Sequence, residues 1–321
     1  MNRSQTEPIE HEDFAMNTEI AFTVYGRSAR RAIKGLKGEV SRIEKKLSRF
    51  VNGSEIDRIN RHSGRGPIPV SGETFEILEF SKRLYEMTRG SFNVLIGPLV
   101  DEWDFQRAES KPEALNIRKT MNLIDGDDLV LNPMEQSVWL RNPGQSIDLG
   151  ALGKGYAGDR CMEVLKGSGI ESAIINLGGN VCVRGRKPDG TAWKVGIRHP
   201  RKENTLIGYV ESEDRHVVTS GDYERFFYDK EGNRRHHILN PATGYPTESG
   251  LISVTVISEN GMAADALATS LFVLGKKHGL SLLSRFPGTE AIWVDESLEV
   301  TVTEGIETVY YGLNGITWHA V

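Results

Sequence analysis

The sequence predicts an α+β fold with largely antiparallel sheets and helices packed against them. Two observations carry this expectation. Apolar and alternating runs of strand length are numerous, short and close together, which suits antiparallel pairing better than a doubly wound sheet. Stretches with helical spacing are few, and no internal repeat or linker divides the 321 residues. The expected organisation is a loose tail over residues 1–13 followed by a single domain over residues 14–321.

Taken in order, Ile20, Phe22 and Val24 alternate along Glu19–Tyr25 and read as a strand. Ile33, Leu36, Val40, Ile43 and Leu47 recur at three and four residues and read as a helix with one apolar stripe. Asn52-Gly53 is a turn signal, and Ser54 is placed to cap a short helix through Asn60. Ser71 is a candidate cap for a second amphipathic helix carrying Ile77, Phe80, Leu84 and Met87. A glycine-bounded loop follows from Gly90 to Val100, and residues 106–120 read as a charged surface excursion. Short strands around Leu129 and Trp139 lead to Asp148-Leu149-Gly150-Ala151-Leu152-Gly153-Lys154-Gly155-Tyr156, and a helix is expected over 156–166. Ala173–Leu177 is an apolar strand ending in Gly178-Gly179. Strands are expected near Val195, Tyr209, Val217 and Ile252–Val256, then helices from Ala263 and over Leu280–Phe286. Final strands are expected near Ile292, Val300, Val309 and Ile316.

Composition excludes several classes. A net charge of −5 with dispersed basic residues leaves no nucleic-acid footprint. No run is long enough to span a bilayer as a helix. Two cysteines, Cys161 and Cys182, are too few for a disulfide framework or metal knuckle. The first residues are polar and acidic, without an apolar signal core or lipidation cysteine. The expected location is therefore cytoplasmic, the alternative being export or the periplasm if a leader has been removed.

Three places could carry chemistry. The glycine-rich stretch around Lys154 leads into a helix, where backbone N–H groups and a lysine can hold an anion. It is not a Walker A loop, because Gly155 stands where Ser or Thr is required. Lys154 is then either a solvated helix-start residue or a phosphate ligand, and Asp148 either a turn cap or a ligand group. Asp265 and Thr269 are four apart and share one helix face. Such hard oxygen donors suit Mg²⁺, although from spacing alone a helix-start Asp favoured by the dipole and a self-bonded Thr are the better explanation. His237 stands beside His236 just before the turn signals Asn240-Pro241 and Thr243-Gly244. Histidine suits proton transfer near neutral pH, and the missing His-x-x-x-His spacing disfavours zinc. Considered alone, Phe50 and Phe92 read as core residues.

Together these segments resemble the ApbE family of flavin transferases, which attach FMN to other proteins. Met16-Asn17-Thr18 is similar to the family's Met-Gly-Thr, and Phe50–Asn60 to its Tyr…Asp-Ser-Glu…Asn segment. Gly90-Ser91-Phe92-Asn93 with Gly97-Pro98-Leu99 resembles Gly-Ala-Phe-Asp…Gly-Pro-Leu. Asp148–Tyr156 resembles Asp-Leu-Gly-Gly-Ile-Ala-Lys-Gly-Tyr. Asn176–Gly179, Thr219–Tyr223, His237–Pro241 with Thr243-Gly244, and Ala264–Thr269 complete the ordered set.

The resemblance implies an ApbE-like, T-fold-related architecture and a Mg²⁺-dependent FAD:protein FMN transferase. FAD is the implied substrate, and the implied acceptor is a Ser/Thr hydroxyl of a flavoprotein. It implies Asp265, Thr269 and the Ala151 carbonyl as Mg²⁺ ligands and His237 as the essential catalytic residue, which we expect to deprotonate the acceptor hydroxyl directly or through water. It places Met16, Phe50, Ser91, Phe92, Asn93, Asp148, Lys154 and Ile238 around FAD. Phe50 for Tyr, Asn93 for Asp, Asn17 for Gly and Gly153 for Ala are departures from the pattern. An FAD pyrophosphatase and a non-catalytic FAD-binding protein are the alternative expectations.

Overall fold

A computed structural model describes residues 7–105, 107, 110–313 and 315–321. The element order is β1 (Ile9–Ala15), β2 (Thr18–Val24), α1 (Ala29–Leu47), α2 (Glu55–Arg61), β3 (Ile68–Pro69), α3 (Gly72–Met87), α4 (Gly97–Trp103), α5 (Ala114–Met121), β4 (Leu129–Asn132) and β5 (Ser137–Leu140). Next come α6 (Gly153–Gly167), β6 (Ala173–Leu177), β7 (Asn180–Arg184), β8 (Trp193–Arg198), β9 (Leu206–Ser212), β10 (His216–Gly221), β11 (Phe226–Tyr228), β12 (Arg234–His236), β13 (Leu239–Asn240) and β14 (Tyr245–Pro246). The chain closes with β15 (Leu251–Ser258), α7 (Gly261–Leu283), β16 (Glu290–Asp295), β17 (Val300–Val302), β18 (Tyr310–Gly312) and β19 (Trp318–Ala320).

The α+β expectation holds. A nine-stranded sheet runs β1-β2-β6-β7-β10-β15-β16-β17-β19, antiparallel at every pairing except β17 with β19. Smaller sheets are β18-β9-β8 and β3-β5-β4, with two ribbons, β11-β12 and β13-β14. Every residue of β15 is buried because the sheet is covered on both faces there. Val254 and Val256 join Leu36, Ile43, Leu165 and Leu267 in the helix-side core. Ile252 and Ile257 face Val195, Ile197 and Val210 of the smaller sheet. Cys161 and Cys182 lie in the helix-side core, where burial pushes the Cys161 thiol up to about 12 and Cys182 well above its ordinary value. Among the described residues no helix is long and apolar enough to cross a membrane.

Local chemistry accounts for the helix starts. The Ser54 hydroxyl accepts the Asp57 N–H at 2.9 Å and the Ser71 hydroxyl that of Thr74 at 3.3 Å. Three boundaries need correction. The loose tail does not extend to residue 13, since Ile9–Asp13 lie in β1 and pair with β2; residues 1–6 fall outside the described set. An edge strand has one unpaired side, so β1 tolerates the charges that make its sequence read as a tail. The surface excursion ends in α5, anchored by buried Ile117. The two expected C-terminal helices are present, separated within α7 by non-helical Gly275 (φ 72°), but the second ends at Leu283, before Phe286.

Candidate active site

The glycine-rich stretch is a helix start packed against another helix start, where a turn was expected. Gly150, Gly153 and Gly155 all lack positive φ, and α6 begins at Gly153. A Cβ on Gly155 would lie 2.0 Å from the Gly261 carbonyl oxygen, and one on Gly261 would lie 2.5 Å from that of Gly155. The pair lets α6 and α7 touch backbone to backbone. Asp159 of α6 locks the crossing by accepting the Gly261 N–H at 2.6 Å and the Met262 N–H at 2.8 Å. Gly153 is different, because its Cβ would meet only Met16 Cε at 3.9 Å. Gly155→Ala is therefore expected to destabilise the protein by roughly 3 kcal/mol, the scale of an overpacked core. Gly153→Ala is expected to be neutral or slightly stabilising in the same thermal or denaturant melt.

The crossing also delivers Asp265. Its side chain is 4% exposed, and one carboxylate oxygen accepts the Gly155 N–H at 2.9 Å. No cationic side chain among the described residues pairs with it, although buried carboxylates are normally paired with cations or bound to metals. One turn further along α7, the Thr269 hydroxyl lies 3.2 Å from that of Ser220. Ala151, half-buried, is two residues ahead of α6. A carboxylate, a hydroxyl and a main-chain carbonyl are the hard oxygen donors that Mg²⁺ takes. No cluster of three or more His, Cys, Asp or Glu suited to a metal occurs among the described residues, in keeping with so sparse a set.

The two adjacent histidines have separate jobs. His236 is buried, with Nε2 3.0 Å from the Thr247 carbonyl and Nδ1 accepting the Ile238 N–H at 3.3 Å. Its ring meets Phe272 edge-on, so it is a structural residue. His237 is half-buried, and its N–H and its Nδ1 both reach the Arg225 carbonyl, at 3.1 and 3.3 Å. A carbonyl only accepts, so Nδ1 carries the proton and Nε2 keeps a free lone pair. Burial, then the charges of Arg225 and, more weakly, Lys154, push the imidazole down to about 3. The base form thus persists well below the ordinary value of 6.5. If this imidazole takes a proton in the reaction, kcat/KM should show no acid limb near pH 6.5 in a pH–rate series; the limb should lie at lower pH. The same shifts have a cost in acid. His236 and His237 take up protons more readily when unfolded, so stability falls as pH drops below 6.5.

Lys154, in the first turn of α6, has no hydrogen bond or ion pair among the described residues. Asp148 is tied down, with Oδ1 accepting the Gly150 N–H at 2.7 Å and Oδ2 the Arg49 guanidinium at 2.9 Å. Arg49 also contacts Asp101 and lies 5.1 Å from the Phe50 ring centre. Phe50 is 76% exposed, against the expectation of a core residue, and offers an open aromatic face. Phe92 and Ile238 are buried, at 3% and 5%, so they support the site from within the core. Ser91 is half-buried in the turn before them. Met16 sits in the two-residue β1–β2 turn, its N–H bound by Glu44 at 2.9 Å.

A model of the ApbE family matches residues 16–293. The chain belongs to the ApbE family. It is 37% identical over 252 residues to the FAD:protein FMN transferase of Klebsiella pneumoniae (strain 342), covering 78% of each chain. It is 33% identical over 276 residues to that of Treponema pallidum (strain Nichols), covering 81% of this chain and 76% of that one. The crystal structure of the ApbE protein of Thermotoga maritima superposes with a TM-score of 0.86 at 30% identity, over 94% of this chain and 99% of that one. The apo flavinyl transferase ApbE of Pseudomonas stutzeri gives 0.83 at 27% identity, over 96% and 98%.

The structure accounts for two further departures from the ApbE motifs. Asn17 stands in place of Gly at φ 59°, after Met16 at φ 52°. Both lie in the left-handed region that a two-residue hairpin requires, and Asn tolerates it best after Gly. Asn93 uses its carbonyl oxygen to cap the Leu95 N–H at 2.9 Å and its NH₂ to donate to the Ile124 carbonyl at 2.5 Å. An ionised Asp could not make that donation. Both ends of the Asn93 amide are therefore anchored by the protein, each with one further hydrogen-bonding position left over. Arg49, Ser220 and Arg225 were not singled out in the sequence. Their positions come from long-range packing, and an Arg49–Asp148 pair 99 residues apart leaves no local signal.

Proposed function

We infer that this protein is an FAD:protein FMN transferase, moving FMN from FAD to a Ser/Thr hydroxyl of an acceptor flavoprotein with release of AMP. The observation that carries this reading is His237. It is a neutral imidazole with Nδ1 fixed by a backbone carbonyl and Nε2 free, and the unpaired Lys154 is near enough to shift it. His237 takes the proton from the acceptor hydroxyl at Nε2. The hydroxyl oxygen bonds to the FMN-side phosphorus, the bond to the AMP-side phosphate oxygen breaks, and AMP leaves. Lys154 and the N-terminus of α6 bind phosphate oxygens. Phe50 offers a stacking face to a flavin or adenine ring, and Met16 of the β1–β2 turn, whose side chain reaches toward Gly153, is a second contact for FAD. Asp265, Thr269 and the Ala151 carbonyl would hold Mg²⁺, which supplies charge neutralisation to the pyrophosphate.

The test is AMP release from FAD with Mg²⁺, with and without an acceptor domain. AMP that appears only with acceptor, matched by covalent flavin on it, supports transfer. AMP with free FMN and no acceptor requirement would make the protein a pyrophosphatase. FAD binding without AMP, with a genuine partner present, would make it a carrier.

A further inference from the structure

We propose that Arg225 is the docking contact for an acidic group of the acceptor protein beside the hydroxyl that receives FMN. This rests on the transferase reading and names how the same site recognises its second substrate. Arg225 is fixed at the site by its own backbone, because its carbonyl holds both the main-chain N–H and Nδ1 of His237. Its side chain is exposed and has no hydrogen bond or ion pair among the described residues.

The surrounding acids are already committed. Asp222 holds Arg201 and Arg234, Glu224 faces Arg198, Asp229 holds Arg235, and Glu231 holds Lys111. The charged groups that act on His237 are Arg225 from the segment before β11, His236 from β12 and Lys154 from α6. Arg225 and Lys154 are thus two cations close enough to act on the imidazole. Lys154, half-buried in the first turn of α6, is placed for the pyrophosphate. Arg225 is exposed at the rim, where the acceptor must enter to bring its hydroxyl to Nε2. An acidic side chain flanking that hydroxyl completes the charge balance and steers encounter. An exposed arginine contributes little to folding, but its charge also acts on His237, so docking is read from the acceptor KM and from acceptor binding rather than from the rate alone.

The experiment uses the full chain and an acceptor domain with Asp or Glu flanking its Ser/Thr, comparing wild type with Arg225→Gln and Arg225→Glu. Expected is a rise of about tenfold in the acceptor KM for Arg225→Gln and more for Arg225→Glu, with the FAD KM unchanged and the salt sensitivity of the acceptor kcat/KM flattened. Replacing the acceptor's flanking acid by Lys should restore transfer by Arg225→Glu. A raised FAD KM with an unchanged acceptor KM would overturn the proposal, as would no change in either. Equilibrium binding of the acceptor to wild type and Arg225→Gln separates this idea from the parent reading. Arg225-dependent binding without any wild-type transfer would sink the transferase reading alone. Transfer with Arg225-independent binding and KM would sink the docking contact alone.

Discussion

His237→Ala should lower FMN transfer by roughly 100-fold to 10,000-fold, the usual contribution of a positioned general base, while FAD affinity and thermal stability change little. The asymmetry follows from its environment. His237 makes one side-chain hydrogen bond, to the Arg225 carbonyl, and its Nε2 is free. His236→Ala should behave in the opposite way. It removes a buried ring, leaves the Thr247 carbonyl and Ile238 N–H short of a partner, and opens space against Phe272. Its expected result is a lower melting temperature, by a loss of about 2–4 kcal/mol. Steady-state transfer, FAD titration and melts on both variants check the division. Near-wild-type turnover by His237→Ala would remove it from the mechanism.

Asp265→Asn should separate stability from function. The amide oxygen of Asn can still accept the Gly155 N–H, so the crossing of α6 and α7 survives. The substitution removes a buried charge that has no cationic partner among the described residues, so the metal-free melting temperature should stay level or rise. Binding of Mg²⁺ should lift the melting temperature of the wild type and leave that of the variant unmoved, because a ligand stabilises only the state that binds it. Transfer should fall by about 100-fold or more, the scale of losing a charge-stabilising group in phosphoryl chemistry. A Mg²⁺-dependent melting shift retained in Asp265→Asn would remove this carboxylate from the metal site.

Much of the architecture was legible where local rules dominate. Ser54 and Ser71 cap helices as read, since a hydroxyl satisfying an N-terminal N–H is a short-range event. The stripe from Ile33 to Leu47 is buried as its spacing requires. The family was legible through ordered motifs, because shared chemistry constrains residue type. What was hidden depends on distant partners. Gly155 reads as a turn glycine until Gly261, more than a hundred residues away, meets it. Phe50 reads as core until the fold leaves its ring in solvent, and nothing local announces that Asn93 ties its loop to the Ile124 carbonyl. His236 and His237 look equivalent in sequence. They diverge because His236 ends β12 with its ring against Phe272, whereas His237 lies in the bend beyond the strand.

The burial of Cys161 and Cys182 has a practical consequence. Held as thiols in the core, neither is open to alkylation or oxidation in the folded protein. A single cysteine introduced on the surface would therefore carry a maleimide dye or a spin label at one known position, with no need to strip the native pair. Placed at Lys230, on the turn between β11 and β12, such a probe would report the arrival of a protein partner directly, independently of any turnover.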